Sequence, residues 1–99
     1  MTDFSIQAAE ATKRMRRLFP ATPLQRNDHL SNVYDADIWL KREDLSPVRS
    51  YKLRGAFNAM GKQADKDVFV CASAGNHAQG VAYVCRYLQK KGVIFMPVT

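Results

Sequence analysis

Residues Val68 to Val98 read VFVCASAGNHAQGVAYVCRYLQKKGVIFMPV, and this stretch decides the fold. VFVCA is a continuous run of apolar, largely β-branched or aromatic residues, the pattern of a strand buried on both faces. SAGNHAQG, Ser73 to Gly80, is a polar turn. Val81, Val84, Cys85 and Leu88 then recur at helical spacing, and the segment closes on Lys90, Lys91 and Gly92, which is expected to cap the helix. Val93 to Met96 forms the next strand. Strand, helix and strand in this order predict a right-handed βαβ unit, and so an α/β protein with a parallel sheet.

Upstream, Leu53, Ala56, Phe57 and Met60 fall at i, i+3, i+4 and i+7, which predicts a helix from Tyr51 to Gln63. Ile38, Trp39 and Leu40 read as a short buried strand leading into KREDLSPVRS, Lys41 to Ser50, a segment that Pro47 keeps from being helical. Gln25 to Asp37 reads as connection with little regular structure. Phe4, Ala8, Ala11, Met15 and Leu18 mark a first amphipathic helix, stopped by Pro20 and Pro23 and carrying Lys13, Arg14, Arg16 and Arg17 at the end its dipole makes negative. Strands as apolar as VFVCA and VIFMPV need neighbours on both edges and helices on both faces, so the chain is expected to be the front of a longer α/β protein.

The 99 residues are 46% apolar and 24% charged, a globular composition that excludes a disordered tail. No apolar run is long enough to cross a bilayer, and the N-terminus has no signal-peptide core. The expected compartment is the cytoplasm, where Cys71 and Cys85 stay reduced. Fifteen Lys and Arg against nine Asp and Glu leave a charge of +6, which suits a phosphate- or carboxylate-bearing partner. The basic residues are dispersed and not interleaved with aromatics, so nucleic acid is not expected as a partner. His29, His77, Cys71 and Cys85 lack the spacing of metal-ligand pairs, so no metal site is expected. Cys71 sits in an apolar run that disfavours a thiolate, which argues against a cysteine nucleophile.

Two segments carry the types of residue that chemistry needs. SYKLRGA, Ser50 to Ala56, sets Lys52 at the very start of a helix, and a primary amine so held can form a Schiff base with a carbonyl. Its neighbours on the helix face are Gly55, Ala56 and Ala59, which leave a flat surface where a ring could lie. The plainer alternative is a solvated lysine at a closely packed helix end. SAGNHAQG joins a strand to a helix through small residues, so its amides can converge on an anion at the positive end of the helix. Its glycines lack the spacing of the dinucleotide fingerprint. Asn76 is well placed to cap that helix, which is also its plainer explanation.

TPL (Thr22 to Leu24), WLKREDL (Trp39 to Leu45), SYKLRGA and SAGNHAQG follow one another in the order and spacing of one family. From about Ala11 to Thr99 the sequence resembles the pyridoxal-phosphate serine/threonine dehydratases of the tryptophan-synthase β-like fold, and among them the biosynthetic threonine dehydratase branch. The tyrosine of SYK stands where many relatives carry phenylalanine, and it leaves Ser50 and Lys52 in register.

The resemblance implies a three-layer parallel-sheet α/β architecture, incomplete here. Residues 1–64 would form the N-terminal part of the large cofactor domain, and 65–99 the start of a small α/β domain. It implies pyridoxal 5'-phosphate as cofactor, with Lys52 as the Schiff-base lysine and as the base that removes the substrate Cα proton. Ser50, Lys52 and Asn76 would bind the cofactor, Asn76 at the pyridoxal 3-hydroxyl. Ser73, Gly75, Asn76 and His77 would hold the substrate carboxylate. The implied reaction is α,β-elimination from L-threonine, giving 2-oxobutanoate and ammonia at the first step of isoleucine biosynthesis, with L-serine as a second substrate. A homotetramer is the family's expected assembly. The family's glycine-rich phosphate loop, its pyridine-nitrogen partner and its regulatory domain lie downstream of the segment these motifs span. A serine racemase would keep the same motifs, and a non-catalytic fragment of such an enzyme would carry them too.

Overall fold

The computed structural model describes residues 3–98. Their order is α1 (Phe4–Met15), β1 (Leu24–Arg26), α2 (Asp28–Tyr34), β2 (Trp39–Lys41), a 3-10 turn (Glu43–Leu45), α3 (Lys52–Gly61), β3 (Val68–Ala72), α4 (Asn76–Leu88) and β4 (Lys91–Phe95). The expected βαβ unit is present: β3 and β4 pair in parallel, Val68 opposite Lys91 and Ala72 opposite Phe95, with α4 as the crossover. The strand at residues 38–40 does not join them. Trp39–Lys41 instead pairs antiparallel with β1, Leu24 opposite Lys41, as a separate two-stranded ribbon.

The core forms where α3 and α4 cross. Leu53, Phe57 and Met60 from α3 meet Val81, Val84 and Cys85 from α4, with Met15 and Phe19 closing one end. Leu53 and Val84 are fully buried, and each such side chain contributes roughly 1.5–3 kcal/mol of transfer free energy. Phe57 meets Tyr87 edge to face at 5.5 Å between ring centroids. Cys85 lies in this core, and its burial, with a smaller effect from a Cys71 thiolate, pushes its thiol pKa up.

Four sequence expectations need correction. β3 is covered on one face only, by α4, so Phe69 and Cys71 are partly buried while Val68 and Val70 stay exposed. β2 is likewise exposed at Trp39, because the ribbon has no layer over that side. Of the α1 stripe, Met15 is buried and Leu18 partly so, whereas Phe4 and Ala8 are exposed. The stretch 25–37 is not irregular: Asn27 caps α2 by accepting from the Leu30 amide at 2.8 Å.

The ends of α4 also differ from expectation. Its C-terminus is closed by Gln89 at φ 57°, with the Lys90 amide donating to Cys85 at 2.8 Å, which is a Schellman-type end. Gly92 therefore lies inside β4. There a Cβ would approach Cys85 Sγ to 3.0 Å, so the missing side chain makes room for the cysteine.

The accessible surface is 7315 Å², against about 5,700 Å² for a compact monomer of this mass. The radius of gyration, 16.4 Å, likewise exceeds the roughly 13 Å of a compact domain of this size. The excess is apolar in part: Val70 and Phe95 lie together on the uncovered sheet face, each more than 60% exposed. None of the described helices is long and apolar enough to cross a membrane.

Candidate functional site

Lys52 is the first residue of α3, as its sequence context predicts, and is half-buried. Its ammonium lies 5.4 Å from the centroid of the exposed Tyr51 ring. Of the flat surface expected beside it, Gly55 and Ala59 are exposed but Ala56 is turned into the core. Gly55 lines a groove between α1 and α3 together with Ala8, Ala11 and Thr12.

The loop before Lys52 is braced and strained. Ser46 Oγ accepts from the Ser50 amide at 3.1 Å and donates to the Ser50 carbonyl at 2.8 Å. Between them Arg49 takes a left-handed φ of 61°, a conformation that costs a non-glycine residue roughly 1–2 kcal/mol. Such strain persists only where the surroundings enforce it. Ser50 is buried, and its Oγ has no hydrogen-bond partner among the described residues. A buried hydroxyl with unused capacity, two residues from Lys52, is suited to a polar group arriving from outside.

SAGNHAQG is not wholly a turn. Its last five residues are the opening of α4, so Asn76 is the first helical residue and not the cap. Ser73 does the capping instead. Its Oγ accepts from the Gly75 and Ala78 amides, both at 3.2 Å, while its own amide donates to the Phe95 carbonyl at 2.9 Å. No acceptor among the described residues takes the amides of Asn76 and His77, which sit at the positive end of a 13-residue helix. Both side chains are exposed, as is Gly75, and a Cβ at Gly75 would meet open space. A cleft of about 460 Å³ opens at the carboxyl ends of β3 and β4, lined by Ser73, Ala74, Phe95 and Met96. This is the edge of a parallel sheet where ligands are ordinarily held.

The two motifs meet at one point. Gly80, the last residue of SAGNHAQG, lies against the Lys52–Leu53 peptide. Asn76 precedes Gly80 by four residues and therefore shares its helix face, one turn nearer the open end. The fold thus sets the Asn76 turn of α4 over the N-terminus of α3.

Comparisons with known proteins place the fold. A family model described as pyridoxal-phosphate dependent enzyme matches residues 15–99. The chain belongs to this family. The biosynthetic L-threonine dehydratase IlvA of Staphylococcus epidermidis is 52% identical over 93 residues, which are 91% of this chain and 22% of that protein. The processed form of threonine deaminase isoform 2 from Solanum lycopersicum superimposes with a TM-score of 0.77 at 32% identity, covering 99% of this chain and 29% of that one. Maize serine racemase gives a TM-score of 0.84 at 25% identity, over 99% of this chain and 31% of that one. The chain therefore spans about a fifth of the length of the curated relatives it matches and about a third of the solved ones. Pyridoxal phosphate is the cofactor of this enzyme family, and the orphaned Ser50 hydroxyl, two residues before Lys52, fits such a group.

Sequence reasoning missed the cluster behind Lys52. Thr22, Glu43 and Arg54 come from three of the motifs and meet in one hydrogen-bonded group. The available signal was an acid and a base in neighbouring motifs, which spacing alone could not bring together.

Proposed function

We propose that these residues belong to a pyridoxal-phosphate-dependent L-threonine dehydratase, which eliminates water from L-threonine to yield 2-oxobutanoate and ammonia. One observation carries the reading: the Lys52 motif and the Asn76 motif pack against each other at Gly80, so the lysine that starts α3 and the N-terminal turns of α4 are neighbours.

In this reading Lys52 supplies the amine that carries the cofactor and then takes the Cα proton of the substrate. Ser50 Oγ and the Asn76 side chain bind the cofactor, Asn76 at its 3-hydroxyl. The helix end from Ser73 through Gly75 and Asn76 to His77 holds the substrate carboxylate, using amides that have no acceptor among the described residues. When bound, the cofactor supplies an electron sink for the charge left at Cα. The β-hydroxyl leaves as water, and hydrolysis of the resulting enamine releases ammonia and the keto acid.

The same reading assigns residues 1–64 to a larger cofactor domain and 65–99 to the start of a smaller one. It also gives the protein L-serine as a second substrate, a homotetrameric assembly, a cytoplasmic location and the first step of isoleucine biosynthesis. The likeness to maize serine racemase favours a second reading, racemisation at Cα with the same lysine.

The test is direct. The protein, supplied with pyridoxal phosphate and L-threonine, should accumulate 2-oxobutanoate, and Lys52→Ala should abolish it. Racemised amino acid without keto acid would replace the dehydratase reading with the second one.

A further inference from the structure

Behind the first turn of α3, on the side away from Lys52, three residues distant in sequence form one polar cluster. Arg54 Nε donates to Glu43 Oε1 at 2.9 Å and its Nη2 donates to Thr22 Oγ1 at 3.3 Å. Thr22 Oγ1 in turn donates to Glu43 Oε1 at 3.3 Å. Lys41 Nζ donates to the Thr22 carbonyl, and the Arg54 guanidinium lies 5.1 Å over the Phe19 ring. Thr22 is buried, and Glu43 Oε2 is buried with no partner among the described residues.

We infer that Thr22, Glu43 and Arg54 are positioning residues, which fix the rotation of α3 about its axis and so aim Lys52 toward the first turn of α4. This deepens the proposed function and rests on Lys52 being the cofactor lysine.

Three physical points carry the inference. Arg54 follows Lys52 by two residues, a rotation of about 200° round the helix, so a clamp on one sets the bearing of the other. The first turn of α3 has no side-chain cap, since Tyr51 contributes none, and the cluster adds a polar tie on the side opposite Lys52. A partly buried ion pair that leaves one carboxylate oxygen unsatisfied adds little to stability compared with apolar residues of similar volume. Its geometry, with a planar fork divided between a carboxylate and a hydroxyl, is what apolar packing could not supply.

The experiment compares the unsubstituted chain with Thr22→Val, Arg54→Lys and the double variant Glu43→Leu/Arg54→Met, keeping those whose far-UV circular dichroism is unchanged. Thr22→Val preserves shape and replaces the hydroxyl with a methyl group, so it serves if the others fail to fold. Each protein is treated with limiting pyridoxal phosphate and borohydride, and separately with formaldehyde and borohydride, and each lysine is quantified by peptide mapping. The expected result in folded variants is a pyridoxyl share at Lys52 reduced by about tenfold or more, with a changed rate of Lys52 methylation relative to the other lysines. Unaltered Lys52 labelling by both reagents would overturn the inference. If the unsubstituted chain shows no preference of pyridoxal phosphate for Lys52, the cofactor reading fails on its own. The methylation rate then decides positioning separately: a rate that shifts supports it, and a rate that does not overturns it.

Discussion

Gly80 on α4 lies against the peptide that joins Lys52 to Leu53: a Cβ at Gly80 would stand 3.4 Å from the Lys52 carbonyl carbon and from the Leu53 nitrogen. This contact sets the distance between the two motifs, and it has room for one methyl group. Gly80→Ala should therefore leave stability within about 1 kcal/mol of the parent, helix propensity offsetting the tighter contact. Gly80→Val should cost about 1–3 kcal/mol, because a larger side chain must push α3 away. Denaturant midpoints of the two variants check the ordering.

At Gly92 the neighbour is closer. A Cβ there would come 3.0 Å from Cys85 Sγ, so Gly92→Ala should destabilise by roughly 1–3 kcal/mol. Cys85→Ala removes the obstructing sulfur at the cost of a small cavity. A double-mutant cycle should show the two changes together costing less than the sum of the single costs, a coupling expected for groups in contact.

Burial raises the Cys85 thiol above its ordinary value of 9.0, and the effect of a Cys71 thiolate adds to it. The folded state holds that proton more tightly than the unfolded state, so the contribution is fully present below the unfolded value. It is lost as pH rises through the folded one. Denaturation midpoints followed from neutral to alkaline pH should fall more steeply for the parent than for Cys85→Ala. Alkylation should reach the partly exposed Cys71 before Cys85.

Arg49 holds a left-handed φ of 61° between the two serines that brace the loop. A β-branched residue fits this conformation worst and glycine best. Stability by thermal unfolding should rank Arg49→Val below the parent by more than 1–2 kcal/mol or so, with Arg49→Gly at or near it.

The elements that carry the site were legible because each has a strong local signal. Helical spacing of Leu53, Ala56, Phe57 and Met60 marks α3, and the run Val68 to Ala72 marks β3. Their parallel partner followed from the length of the intervening helix. What escaped was set by contacts across the chain. Trp39 and Leu40 are apolar enough for a buried strand, yet which strand they join depends on their partners Arg26 and Gln25, in a three-residue strand with no pattern of its own. Asn76 and Ser73 are both good capping residues, and only the strand pairing that holds the Ser73 amide on Phe95 decides between them. Gly92 reads as a helix stop, but its function is steric and involves Cys85 from another element. Among the candidate site residues, the helix-start position of Lys52 was legible in SYKLRGA, whereas the orphaned Ser50 hydroxyl and the Thr22, Glu43 and Arg54 cluster appear only once the chain is folded.

The central claim is that Lys52 is the amine that carries the cofactor. Borohydride trapping of the protein with limiting pyridoxal phosphate, followed by peptide mapping across its seven lysines, tests it most directly. The account predicts label concentrated on Lys52. Label spread over Lys13, Lys41, Lys62, Lys66, Lys90 and Lys91 as readily as on Lys52 would contradict it.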